Sequence, residues 1–240
     1  MQTQKNNLSA RDRLIVALDF PDAASALQLV GQLDGTVRWF KVGLELFIAT
    51  GPSILEELRR RGHSIFLDLK LHDIPNTVAA AVRTAASLGV DLLTVHAFGG
   101  PAMLTAARDA LAGLDSPPQL LAVTVLTSMD QPQLAAIGAA SPPAAQVELL
   151  ARLGLASGIN GFVCSAEEVA NLRALTGPAG LLVTPGIRPA GSAAGDQKRI
   201  ATPAGALRNG ASYLVVGRPI TQAANPAAAA TAILNEMEQG

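Results

Sequence analysis

Eight short runs dense in Val, Ile and Leu, separated by longer Ala- and Leu-rich amphipathic segments, organise the 240-residue chain. The runs are "LIVALDF" (14–20), "RWFKVGL" (38–44), "SIFLDLK" (64–70) and "LLTVHAF" (92–98), then "LLAVTVLTS" (120–128), "GFVCSA" (161–166), "LLVTPGI" (181–187) and "YLVVGRP" (213–219). Runs of this length and make-up are expected of strands covered on both faces, as in parallel sheets. Between them, "DAASALQLVGQL" from Asp22, "GPSILEELRRRG" from Gly51, "PPAAQVELLARLGLASG" from Pro142 and "NPAAAATAILNEMEQ" from Asn225 read as helices. Several carry Pro in the first turn and Gly at the end, the expected asymmetry of helix termini.

Eight strand-then-helix units in 240 residues match the size of an α/β chain closed into a (β/α)8 TIM barrel. We expect a single barrel domain over 1–240, with 1–12 as a short polar N-terminal extension. A doubly wound open sheet is the alternative, but no Gly-x-Gly-x-x-Gly follows the first strand. No Pro/Gly/Ser-rich linker divides the chain. The loop "RPAGSAAGDQKR" (188–199) is long, polar and rich in small residues, as mobile lids are.

Composition narrows the function classes. With 49% hydrophobic and 15% charged residues, disorder is not expected. A net charge of −1 and 3% aromatics offer neither a basic footprint nor stacking platforms for nucleic acid. Cys164 is the single cysteine, so no intrachain disulfide or multi-cysteine metal site can form; within "GFVCSA" it reads as a small core residue. The three histidines, His63, His72 and His96, show no ligand spacing, so no metal site is expected. The polar start lacks an apolar signal core, and no apolar run approaches the about 18 residues of a membrane span, so a cytoplasmic protein without membrane contact is expected.

In such a barrel functional residues gather at the carboxyl ends of the strands. Asp19 ends the first run, Lys41 lies in the second, Asp68 and Lys70 end the third, His96 is near the end of the fourth, and Thr127 and Ser128 end the fifth. Strand side chains alternate in direction, so Asp68 and Lys70 should face the barrel axis while Leu67, Leu69 and Leu71 face the helices. The Asp68–Lys70 pair could be a structural ion pair, whose desolvation offsets much of its attraction. A second amine at Lys41 on the neighbouring strand favours a reaction site. Asp73, beyond the strand in "DIPNT", reads as a helix N-cap with Pro in the first turn. His96 is expected to pack behind the site rather than react.

At the other end of the chain, "TPGIR" and "VVGRP" place Arg188 and the Gly217–Arg218 pair after the last two strands. Loops at this position form the common phosphate site of these barrels. Gly lets backbone amides approach an anion, and Arg clamps it through two hydrogen bonds.

These motifs together resemble those of orotidine 5′-monophosphate decarboxylases of the bacterial branch. "FLDLKLHDIPNT" is similar to the Asp-x-Lys-x-x-Asp-Ile-Pro-x-Thr signature. The likeness continues in order through "ALD" (17–19), "KVG" (41–43), "TVHAFGG" (94–100), "TVLTS" (124–128), "TPGIR" (184–188), "DQKR" (196–199) and "VVGRPI" (215–220). The resemblance implies loss of CO2 from orotidylate to give uridylate in pyrimidine biosynthesis, without a cofactor or metal. It implies Lys70 as proton donor to C6 of the pyrimidine, within an alternating network of Lys41, Asp68, Lys70 and Asp73. It further implies a homodimer in which Asp73 and Thr77 enter the partner's site. Asp19 and Lys41 would hold ribose hydroxyls, Thr127 and Ser128 would lie near the base, and Arg188, Gln197, Gly217 and Arg218 would surround the phosphate. Two other functions would use a similar barrel. One is a Mg²⁺-dependent decarboxylase or aldolase of sugar phosphates, against which "DIPNT" and "TVLTS" count. The other is a non-catalytic phosphoribosyl-binding barrel, which does not explain two inward-facing lysines.

Overall fold

A computed structural model describes residues 9–189 and 201–239. Eight parallel strands form a closed barrel in chain order, with β8 pairing back to β1. They are β1 (Leu14–Leu18), β2 (Trp39–Gly43), β3 (Ser64–Leu71), β4 (Leu92–His96), β5 (Gln119–Val123), β6 (Gly161–Val163), β7 (Leu181–Thr184) and β8 (Tyr213–Val216). Each falls on one of the eight apolar runs. One main helix follows each strand: α1 (Ala23–Gln32), α2 (Ser53–Arg60), α3 (Pro75–Ser87), α4 (Gly100–Asp109), α5 (Pro143–Ala156), α6 (Val169–Thr176), α7 (Pro203–Arg208) and α8 (Pro226–Glu238). The chain is thus the expected (β/α)8 TIM barrel.

Local chemistry sets the helix starts. The carboxylate of Asp22 accepts from the Ser25 amide at 2.8 Å and opens α1. Asn225 does the same for Ala228 at 3.0 Å and opens α8. Pro occupies the first position of α3, α5, α7 and α8, where its missing N–H costs no hydrogen bond. Short helices that the sequence pattern does not announce span Leu44–Thr50, Gln131–Ala136 and Arg218–Thr221. Overlapping the end of the expected N-terminal extension, Ala10–Arg13 forms one helical turn that packs against α8. No helix among the described residues is long and apolar enough to cross a membrane.

Alternation along the strands divides the apolar side chains into two compartments. Outward residues such as Val16, Phe40, Leu67, Leu93, Phe162 and Leu214 pack beneath the helices. Inward residues, among them Ile15, Trp39, Phe66, Leu92, Leu121 and Val215, fill the barrel. Trp39 and Tyr213, the first residues of β2 and β8, meet edge to face at 5.1 Å and close the amino end. The carboxyl end is left for polar groups.

Candidate active site

One step along β2 from the Trp39 layer, the inward position belongs to Lys41, level with Ala17 on β1 and Phe66 on β3. The small Ala17 leaves room for the lysine stem. Lys41 is buried, and its Nζ lies 2.9 Å from Oδ1 of Asp19 and 3.8 Å from Oδ2 of Asp68. Lys70 Nζ approaches the same Asp68 oxygen at 2.8 Å. Four groups of alternating charge, Asp19, Lys41, Asp68 and Lys70, thus run across the mouth. Gly43 makes space for this row: a Cβ there would fall 2.9 Å from Lys41 Nζ.

Lys70 does not reach Asp68 by regular strand geometry. Its φ is +49°, the left-handed region, and it is the one non-Gly residue there among those described. The β3–β4 register slips at the same place, from Leu67↔Leu93 to Leu71↔Val95. Such a backbone conformation costs about 1–3 kcal/mol and concentrates at functional sites. The expectation of a flat pleat at Lys70 is therefore corrected: a bulge aims the side chain. The expected direction of the leucines holds, with Leu67 buried and Leu69 and Leu71 packed against the outer core.

Thr94, fully buried on β4, bridges the bulge. Its hydroxyl donates to Asp68 Oδ1 at 3.0 Å and accepts the Lys70 backbone N–H at 2.8 Å. Next along β4, His96 stacks on His72 with ring centroids 5.4 Å apart. Burial, together with His72 and Lys70, lowers the His96 pKa to about 4.

These charges open into a cavity of about 610 Å³ at the carboxyl end of the barrel. Asp19, Lys41, Asp68, Lys70, Thr127, Ser128, Arg188, Gly217 and Arg218 all line it. Val123, Val125, Val163 and Cys164 give it an apolar wall. Cys164 is thus both the buried core residue expected and part of the cavity lining. Gly186, with φ +76°, turns the chain out of β7. Beyond it the buried Arg188 donates its backbone N–H to Ala201 O at 2.9 Å.

Three sequence-predicted residues are not in this cluster. Asp73 and Thr77 are exposed and do not line the cavity, so within one chain the expected network stops at Lys70. The helix-cap reading of Asp73 is also corrected. The N-cap of α3 is Ile74, and among the described residues Asp73 accepts only the adjacent Ile74 amide, at 2.6 Å. Gln197, with most of the 188–199 loop, lies outside the described residues. The sequence assigns no role to Thr94, within "TVHAFGG", because its partners lie on the neighbouring strand; Gly43 follows Lys41 by two residues on one face of β2, a spacing that could have signalled it.

The arrangement suits chemistry that develops negative charge. Ammonium groups fixed in a partly desolvated site stabilise an anion more strongly than water does, because they need not reorganise. Arg188 and Arg218, lining the same cavity, can hold a second anionic group.

Residues 12–233 match the model of the Orotidine 5′-phosphate decarboxylase / HUMPS family. The orotidine 5′-phosphate decarboxylase of Halorhodospira halophila is 56% identical over 94% of this chain and 95% of its own length. That of Nitrosococcus oceani is 53% identical over 95% of this chain and 98% of its own. The crystal structure of orotidine 5′-phosphate decarboxylase from Lactobacillus acidophilus superposes with a TM-score of 0.83 at 42% identity, covering 94% of this chain and 99% of that one. The chain belongs to the orotidine 5′-phosphate decarboxylase / HUMPS family.

Proposed function

We propose that the chain decarboxylates orotidine 5′-monophosphate to uridine 5′-monophosphate in de novo pyrimidine biosynthesis, without a cofactor, with Lys70 as the proton donor to C6. The observation that carries this reading is the Asp19–Lys41–Asp68–Lys70 row, which shares one cavity with Arg188 and Arg218. The reaction breaks the C6–carboxylate bond, and CO2 departs. The electron pair stays on C6 as an sp² carbanion with no ring position to receive it. A fixed ammonium beside C6 stabilises that charge and then delivers its proton. The neutral amine regains a proton from solvent.

The remaining groups divide between two ends of the substrate. Asp19 and Lys41 hold the ribose hydroxyls, and Thr127 and Ser128 lie near the base. Arg188, Gly217 and Arg218 take the phosphate, with Gln197 completing that shell. Binding energy gathered at the phosphate, remote from C6, then lowers the barrier at the reacting carbon. Asp68 faces the departing carboxylate, held there between its partners Lys41 and Lys70.

The active form in this reading is a homodimer in which Asp73 and Thr77 complete the partner's site. The exposure of both residues supports it. So do the exposed apolar side chains on adjoining segments: Leu44 and Ile48 on the short helix after β2 and Ile74 after β3 are 50%, 79% and 66% accessible. Exposed apolar groups near a functional mouth mark association surfaces.

The test is turnover of orotidine 5′-monophosphate by the purified chain, followed as loss of ultraviolet absorbance, with and without EDTA. Equal turnover in both is expected. No absorbance loss would overturn the assignment, and loss abolished by EDTA would point instead to a metal-dependent relative.

A further inference from the structure

The hydroxyl of Thr94 occupies a place that the charges alone do not explain. It is fully buried at the centre of β4, facing the barrel interior. It makes two hydrogen bonds to two different parts of the site. As donor it fixes Oδ1 of Asp68 at 3.0 Å, and as acceptor it takes the main-chain N–H of Lys70 at 2.8 Å.

Each bond restrains a freedom that the site cannot leave open. Asp68 uses its other oxygen, Oδ2, for Lys70 at 2.8 Å and Lys41 at 3.8 Å. With Oδ1 tied to Thr94 the carboxylate plane is set, and the two ammoniums are aimed by it. Lys70 sits at φ +49° in a bulge where the β3–β4 ladder is out of step. A lysine has no intrinsic preference for that conformation. The bulge also denies its amide a regular ladder partner, and a buried unpaired N–H is costly. The Thr94 hydroxyl supplies that partner from the neighbouring strand.

We propose that Thr94 is a positioning residue for the reaction: one hydroxyl holds both the left-handed backbone of Lys70 and the carboxylate of Asp68, and so places the Lys70 ammonium. This rests on Lys70 being the proton donor. Thr94 itself touches no reacting atom, so its effect must pass through the geometry of the pair. Groups about 1 Å out of place can cost on the order of 10²-fold in rate.

Thr94→Val keeps the shape and removes both hydrogen bonds, whereas Thr94→Ser keeps both bonds and removes a methyl. We expect Thr94→Val to lower kcat by about 10- to 100-fold. KM and the affinity for uridine 5′-phosphate should change much less than kcat, because Lys41 keeps its closer partner Asp19 at 2.9 Å and the phosphate contacts do not involve Thr94. Thr94→Ser should restore kcat to near wild type, which a role in packing alone would not predict. If Thr94→Val folds poorly, shown by thermal unfolding, Thr94→Ala provides the same comparison with Thr94→Ser. Wild-type kcat in Thr94→Val, or a Thr94→Ser variant as slow as Thr94→Val, overturns the proposal. Lys70→Ala is measured alongside: if it turns over normally, the proton-donor reading fails instead.

Discussion

Lys41 and Lys70 share a single carboxylate oxygen: both ammoniums approach Oδ2 of Asp68, at 3.8 and 2.8 Å. The two amines are therefore not redundant. Lys41 has a second carboxylate in Asp19 at 2.9 Å, while Lys70, at the open end of the row, has Asp68 alone among the described residues. The proposed mechanism assigns the proton donor to that end of the row.

Lys70→Ala should then separate chemistry from folding. Asp68 keeps Lys41 and Thr94 as partners, so the unfolding temperature should stay near wild type. Turnover should fall by at least the ~10²–10⁴-fold typical of a lost general acid. Affinity for uridine 5′-phosphate should persist. Near-normal kcat in the purified variant would remove Lys70 from the mechanism.

Gly43→Ala tests the space around Lys41. The backbone of Gly43 has φ −96°, which Ala tolerates, so folding should survive. Its Cβ would fall 2.9 Å from Lys41 Nζ, and the ammonium must move. We expect kcat/KM to drop by roughly 10–10²-fold, the range set by small misplacements in an active site. A variant with unchanged kcat/KM would show that the position of Lys41 is not critical.

Arg218→Ala probes the phosphate end. KM should rise and kcat/KM should fall, since remote binding energy is used at C6. The defect should shrink for orotidine lacking the phosphate. Equal damage to both substrates would mean that Arg218 does not serve the phosphate.

Site sharing predicts complementation. Lys70→Ala and Asp73→Ala chains, each inactive alone, should regain activity when mixed and allowed to exchange. In a mixed dimer one site carries both lesions and the other carries neither. With random pairing about half the dimers are mixed, so recovery should approach roughly a quarter of wild type. No recovery, with exchange verified by mass spectrometry, would mean that each chain completes its own site.

His96 links the site to acid stability. Its folded pKa is lowered from 6.5 to about 4, chiefly by burial, then by His72 and Lys70. Between these values the unfolded chain binds the proton and the native chain does not. The stabilising contribution is therefore complete above about pH 6.5 and declines as pH falls toward 4. His96→Gln should flatten that part of the profile, measured as urea unfolding midpoints across the window. A variant curve parallel to wild type would show that other groups carry the acid sensitivity.

The barrel was legible in the sequence because its signal is local. Each strand announces itself by a short run of Val, Ile and Leu, and each capped helix by Asp, Asn or Pro at its first turn. Eight such units in order leave few ways to bury both faces of every strand. Once the barrel is granted, strand ends place Asp19, Lys41, Asp68, Lys70, Arg188 and Arg218 at one mouth, and the structure gathers all six.

Tertiary structure decided how these residues meet. The left-handed turn at Lys70 has no signature in a lysine codon, because it arises where β3 and β4 fall out of register. The bridge from Thr94 spans 24 and 26 residues of sequence, and the stack of His96 on His72 likewise joins separate strands' ends. The cap of α3 fell to Ile74 rather than Asp73, and Asp73 is exposed and outside the lining of its own chain's cavity. Local propensity and hydrophobic period can specify which segments become strands and which end of the barrel is polar. Register, bulges and cross-strand hydrogen bonds depend on neighbours that only closure of the barrel brings together, and those set the working geometry of the site.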